Sequence, residues 1–375
     1  MSRAAPRRRA EQPRRRLRRT GPGAAERTGR GRGARPHEGA VGTALDAAME
    51  TTVGDTRLPV GVWAVAVLTG LGLLVAGTVP VGPAILGEIG AVLVATAYTW
   101  ALAARTGGRP IVFGTLALLV GVVVLVLDED YLRTGAAVLT CAVSAVLGVM
   151  VTTPTRRFFE AARECTYAVL VAAVGALATV AFEPSITLLR FEYVTLALAL
   201  GGAFALVYRL GAGLHGLGRR GAATVAIGAV LLAVTLAYAE LLRRYGASGL
   251  IESMLDGVRW SRDNLGAFPR PLETVLGIPA LAWGCHMRAR RRQGWWVCAF
   301  GVAATVPVAN ALMNPATTYL EAGLSVTYGL LVGLVLGYLV IRADLALTGP
   351  RGRRARRAEE ATAGRPEPAR TSPLL

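Results

Sequence analysis

Beyond Arg57 the chain is a succession of long apolar blocks separated by short polar stretches. The blocks fall at 58–78, 83–104, 110–127, 134–154, 166–183, 192–210, 222–242, 273–287, 294–313 and 319–341. Most have the roughly 17–25 residues that a helix needs to cross a hydrocarbon core about 30 Å thick. The eighth is short and contains Pro279, so it is expected to tilt or to re-enter the membrane. The pattern predicts an all-α fold, a polytopic transmembrane helical bundle of ten spans, with nine as the alternative.

The polar stretches set the orientation. Arg57, Arg105/Arg109, Arg156/Arg157/Arg163, Arg209/Arg219/Arg220, Arg288/Arg290/Arg291/Arg292 and the stretch after Arg342 all fall on one side of the alternation. The other side has Arg133, Arg190 and the arginines from Arg243 to Arg270. Positive charge accumulates in cytoplasmic loops, which places both termini in the cytoplasm and requires an even number of spans. Trp63, Trp100, Trp283, Trp295 and Trp296 fall near the same ends, where indole suits the interface.

The longest stretch between blocks is the outer loop 244–272. Within it Ile251, Met254, Leu255 and Val258 recur at helical spacing, with Glu252, Asp256, Arg259 and Asp263 along another side. This predicts an amphipathic helix on the outer face, over about 250–265, which carries Trp260. Pro269-Arg270-Pro271 then turns the chain back toward the membrane.

Composition agrees with a membrane protein. Hydrophobic residues make up 53% and mean hydropathy is +0.46, yet net charge is +17. Those values conflict in a soluble domain but not where apolar spans and basic loops occupy different places. Every one of the 41 basic residues is arginine. The lack of lysine excludes a P-loop lysine and Schiff-base chemistry. Richness in Ala, Gly and Arg suggests a GC-rich genome, and a bacterial plasma membrane is the expected location. Residues 1–57 and 348–375 are Arg-, Pro- and Gly-rich without apolar periodicity. They are read as disordered cytoplasmic tails flanking a membrane domain over 58–347. The first tail can equally be an extension ahead of a true start at Met49. Contact of the tails with anionic lipid is expected, and nucleic acid binding is not.

Several residues are candidates for chemistry. Glu88 lies about five residues into the second block, where an ionisable group is costly and marks a proton or cation site, unless it pairs with an outer arginine. Pro307 and Asn310 in the ninth block, followed by Asn314, match the Pro-interrupted helices that line transporter sites or pack as kinks. Ser325, Gly329, Gly333 and Gly337 recur every fourth residue below Glu321. They form a small-residue ridge for close helix packing, within the chain or in a homo-oligomer or membrane-protein complex. Asp128, Glu129 and Asp130 form an outer acidic cluster, read as ordinary surface acids or as a cation vestibule.

Other motif matches lack their context. Gly211-Ala-Gly-Leu-His-Gly216 fits GxGxxG, but it follows a span rather than a strand. Gly246-Ala-Ser248-Gly249 is similar to the GxSG of rhomboid-type proteases, yet it sits in the outer loop, with His215 and His286 on the opposite face. Asp128-Glu129-Asp130 resembles the acidic motif of membrane-embedded polyprenyl-dependent glycosyltransferases over three residues only, and the first outer loop is short. Cys285-His286 with Cys298 is an incomplete metal set, so no metal and no cofactor are expected. Three functional classes remain. A secondary-transporter-like or permease-like protein is favoured. The others are an envelope assembly factor and an enzyme acting on a lipid-linked substrate at the outer face, using the acids 128–130 with Arg259, Arg262 or Arg270.

Overall fold

The computed structural model describes residues 57–79, 83, 85–212, 214–245, 249–291, 293–348 and 367–374. All of them belong to the compact unit Thr56–Leu375. Among the described residues there are twelve α-helices and no strand. The first seven blocks appear as α1 (Arg57–Thr78), α2 (Ile85–Arg105), α3 (Pro110–Leu127), α4 (Asp130–Met150), α5 (Phe158–Ala181), α6 (Leu188–Val207) and α7 (Leu214–Tyr245). The polar stretch 244–272 holds α8 (Gly249–Leu265). Then come a π-helical turn, Leu272–Gly277, and α9 (Ile278–Arg288), α10 (Gly294–Ala299), α11 (Val302–Met313) and α12 (Tyr319–Thr348).

Nine helical segments among the described residues are long and apolar enough to cross a membrane. The fold is an all-α bundle of membrane-spanning type. Its outward surface is apolar, with Val62, Leu68, Val126 and Leu320 strongly exposed. Its interior holds polar groups such as Glu164, Glu273 and Asn310. That inversion suits lipid, which solvates apolar side chains and offers no hydrogen bonds.

Element boundaries follow local chemistry. Helix α5 starts eight residues ahead of its apolar block. Glu160 caps it, its Oε2 accepting from the backbone N–H groups of Arg156 (2.8 Å) and Arg157 (3.2 Å). The ninth block was expected to be interrupted at Pro307, but Pro307 lies inside α11. The axis breaks earlier, where Phe300, Gly301, Ala303 and Ala304 donate to carbonyls three residues back. Such 3₁₀-type bonds tighten the chain between two short helices. Four expectations fall wholly or partly outside the described residues: the tail 1–56 with its alternative start, residues 349–366 of the second tail, Gly213 of the GxGxxG match, and the Gly246–Ser248 part of the GxSG match. The helix expected in the outer loop is present as α8. The side chains of its stripe residues Ile251, Met254 and Leu255 are likewise outside the description.

The stretch 272–313 fills the centre of the bundle. The ninth block is buried over most of its length, whereas Gly221–Tyr238 of α7 is almost wholly exposed. At Gly277 an added Cβ would lie 2.2 Å from the Ala304 backbone nitrogen and 2.4 Å from the Ala303 carbonyl carbon. The backbones of the two segments therefore touch. On its other side, 272–288 packs on the α12 ridge. Cβ atoms at Gly329, Gly333 and Gly337 would meet Glu273 (2.6 Å), Ile278 (2.6 Å) and Ala282 (3.1 Å). Both series ascend together, so the two helices run parallel. The ridge residues Gly329, Gly333 and Gly337 thus pack within the same chain.

Because the Gly277 contact is backbone on backbone, no rotamer change relieves it. Gly277→Ala should destabilise the protein by at least about 1–3 kcal/mol, the range for overpacked cores. Gly323→Ala, with nothing within 4 Å, should be neutral or slightly stabilising. Thermal unfolding of both variants in detergent checks this, and equal midpoints would refute the close contact.

Candidate functional site

Loop geometry brings the sequence candidates to two separate places. The first is at the end of the bundle where α2 and α4 begin and α3 and α5 finish. Here Arg133 of α4 gathers three carboxylates. Its Nη2 lies 2.6 Å from Glu88 Oε1 and 2.5 Å from Asp128 Oδ1, and its Nη1 lies 3.6 Å from Glu183 Oε2. Asp128 and Glu183 have left-handed backbones, with φ of 52° and 49°. Non-glycine residues rarely adopt that conformation. The turn at Asp128 ends α3, and the one at Glu183 follows α5. Glu88 is thus paired with an arginine near the start of α4, the alternative to a proton or cation site that its sequence left open. Asp128 belongs to this brace. Glu129 is the N-cap of α4 without a side-chain cap bond, and Asp130 opens that helix. Among the described residues no group of three or more His, Cys, Asp and Glu is arranged to hold a metal ion.

The second place lies between the end of α8 and the beginning of α12. Gly266, at φ 78°, ends α8 by donating its N–H to Arg262 O. The following loop is strapped to α12. Ser325 Oγ donates to Phe268 O (2.7 Å), Tyr328 Oη donates to Leu265 O (2.9 Å), and Arg262 Nε lies 3.3 Å from Glu321 Oε1. Beside the strap is a cavity of about 150 Å³. Val258, Arg262, Arg270, Asn314, Thr317, Glu321 and Ser325 are among its lining residues. Asn314, the C-cap of α11, accepts the Ala316 N–H on its Oδ1 (3.1 Å).

One turn further along α12 from Ser325 is Gly329, and against it sits Glu273. This carboxylate is wholly buried, and neither oxygen has a hydrogen-bond partner. Only the missing side chain of Gly329 leaves room for it. The helix around it is widened into a π turn, in which Ile278 N–H bonds to Glu273 O. Pro279 accounts for the widening, because its ring would clash with the carbonyl four residues back and it donates no N–H. Single π turns recur at functional sites. Arg270 lines the cavity and interacts electrostatically with Glu273. Burial lowers its pKa, an approach to Arg262 lowers it further, and Glu192 and Glu273 oppose the shift. A guanidinium stays protonated through such a change.

Asn310 on α11 is also wholly buried, with neither Oδ1 nor Nδ2 hydrogen-bonded. Its helix packs against both α5 and the π turn of Glu273. Pro307, one turn before it, leaves the Ala303 carbonyl without its helical donor, at the point where Gly277 makes its contact. Glu88 is held by Arg133 in the other cluster and does not line the cavity beside the strap. Of the three arginines proposed for a phosphate, Arg259 is engaged with Asp256 (2.8 Å) and Arg262 with Glu321, and Arg270 lines the cavity.

No protein-family model matches the chain, and neither a curated protein nor a solved structure is significantly similar to it. The site therefore has to be read from its own chemistry. Sequence reasoning missed Glu273, although the signal was present. It is an acid at the head of an apolar block, two residues after Pro271, as Glu88 follows Pro83, but at the block's edge rather than five residues inside it.

The Arg133 brace has a direct test. Removing the guanidinium leaves the part-buried Glu88 unpaired, at a cost of about 1–3 kcal/mol for a desolvated charged acceptor. Arg133→Met should lower the unfolding midpoint clearly, and Glu88→Gln, which keeps an acceptor, should lower it less. Unchanged midpoints for both would show the brace to be energetically idle.

Proposed function

We propose that this membrane protein is a secondary transporter of permease type, with Glu273 as the group that couples transport to protons or another cation. The observation that carries this reading is the buried carboxylate without a hydrogen-bond partner, one turn inward from a polar cavity. Arg270 favours the ionised form from a distance, but no donor bonds either oxygen, and an ionised carboxylate held that way in an apolar interior is costly. Glu273 is therefore stable with a proton on it, and releasing that proton requires a cation in its place. A group with two such states can couple ion movement to a change of shape. Asn310 supports the reading, because a second buried side chain with unused donors and acceptors lies on a helix packed against the same π turn. Glu321 lines the cavity, and Pro307 lies on the Asn310 helix.

The arginine distribution supports placing the cavity on the outer side of a bacterial plasma membrane. Arg262, Arg270, Glu192 and Glu321 set the charge around the approach to Glu273. Asn314 and Thr317 supply neutral polar contacts for a solute or for water.

Hydrophobic carbodiimides modify protonated carboxyl groups in apolar surroundings, so they read out the state of Glu273 without knowledge of the solute. In proteoliposomes the label should fall on the peptide containing Glu273. It should decline as pH rises, because only the protonated acid reacts, and Glu273→Gln should remove it while the protein stays monodisperse. Labelling of Glu88 instead, or none on Glu273 at any pH, would sink the proposal.

A further inference from the structure

Residues 367–374 are not a solvated tail, as their composition led us to expect. They are seated on the arginine-rich end of the bundle, where α2, α4 and α9 end and α5 begins. Three charged side chains of the bundle meet there, all buried: Arg105, Glu164 and Arg288. Arg288 is fixed from behind. Its Nη1 donates to Thr152 Oγ1 (2.8 Å), its Nη2 to Thr152 O (3.1 Å), and it stacks on Trp295 at 3.5 Å. Glu164 accepts the Thr153 N–H on Oε2 (2.8 Å). Arg105 donates from Nε to Met150 O (3.0 Å). The bundle thus positions two guanidiniums and a carboxylate before the segment adds anything.

The segment answers each charge. Glu367 lies 2.5 Å from Arg288 Nη2. Arg370 Nη2 donates to both Glu164 oxygens at 2.9 Å, and its Nη1 donates to Val151 O at 3.1 Å. Arg105 Nη1 donates to the carbonyls of Ala369 and Ser372, each at 2.6 Å, and the Leu374 N–H returns a bond to Arg105 O (2.8 Å). Bonds between ionised groups are the strongest hydrogen bonds available, and paired N–H···O bonds to one carboxylate add geometric selectivity. The segment has no core of its own. Pro368, Ala369, Thr371 and Pro373 face outward, so charge pairing and backbone hydrogen bonds hold it in place, with Leu374 alone packed against the apolar core of the bundle.

We propose that this cleft is a peptide-recognition site, and that residues 367–374 are its resident in cis: a displaceable latch across the arginine-rich end of the bundle. The sequence it selects is a glutamate and an arginine three positions apart, followed by a turn that the Ser372 N–H closes onto Ala369 O (2.9 Å). Releasing the latch uncovers Arg105, Glu164 and Arg288 together. The inference stands apart from the role assigned to Glu273.

A tethered segment has an effective concentration of about millimolar, which masks the site from a peptide in solution. The test therefore uses the full-length chain with Arg370→Ala, which weakens the resident, and a fluorescent peptide of residues 365–374. Anisotropy in detergent should show the peptide binding to this variant at least about tenfold more tightly than to the wild-type protein, whose site is filled. The same peptide with alanine in place of Arg370 should not bind the variant. Addition of salt should weaken the interaction. No binding to the variant, equal binding to variant and wild type, or equal binding of the two peptides would each overturn the proposal. The comparison between peptides uses one protein sample, so a folding defect cannot imitate selectivity.

Discussion

The architecture depends on the place where Gly277 meets Ala303 and Ala304 with no side chain between them. Helices in lipid gain nothing from hiding apolar surface from one another, so they associate through close packing and a few polar contacts. At this crossing the approach is as near as backbones permit. Gly329, Gly333 and Gly337 of α12 repeat the device on the opposite side of 272–288. The segment is thereby held between α11 and α12 with almost no slack. Two prolines are placed in relation to the contact. Pro279 opens the turn preceding it, and Pro307 leaves a carbonyl free at the crossing itself.

That packing explains why two glutamates of similar sequence context have different states. Glu88 is near a helix start, within reach of a loop, and Arg133 comes to it together with two further acids. Several carboxylates sharing one guanidinium at a partly exposed surface make a structural clamp, worth little per pair. Glu273 lies in the interior, enclosed by the π turn and by Gly329, and no donor reaches either oxygen. Both positions are costly for an ionised acid. The first has a guanidinium bonded to it, whereas Glu273 has only the through-space field of Arg270, which is why the proposed coupling role falls on the second.

The fold class was legible because apolar block length and arginine alternation are one-dimensional signals, and the bilayer makes them strict. The small-residue ridge was legible for the same reason, as a period of four on one helix, although nothing in it identified 272–288 as the partner. The candidate site was less so. Glu88 attracted notice by standing amid apolar residues, but its pairing with Arg133 depends on the left-handed turns at Asp128 and Glu183, which acidic residues do not advertise. Glu273 escaped notice because it stands at the edge of a block and reads as a boundary residue. Its burial depends on a loop strapped to α12 by Ser325 and Tyr328, a contact across more than fifty residues. The docking of Glu367 and Arg370 escaped for a related reason. Composition reports what a segment can bury, not what charged cleft waits for it elsewhere.

The 272–288 segment is fastened differently at its two ends, and this bears on how it can move. At the Glu273 end the fastenings are neutral hydrogen bonds and one half-exposed ion pair, Arg262 with Glu321. At the Arg288 end they are buried, charge-assisted bonds to Thr152 and Glu367, backed by Trp295. Neutral bonds contribute about 1 kcal/mol each, whereas bonds to buried charges contribute roughly twice that. The glycine contacts between them oppose bending in the middle, since any tilt there drives backbone into backbone. A displacement triggered at Glu273 would therefore pivot on the Arg288 end and open first at the strap, beside the polar cavity. Motion of the Arg288 end requires the 367–374 segment to let go of its charges first, so the order of the two movements is set by the unequal strength of the fastenings.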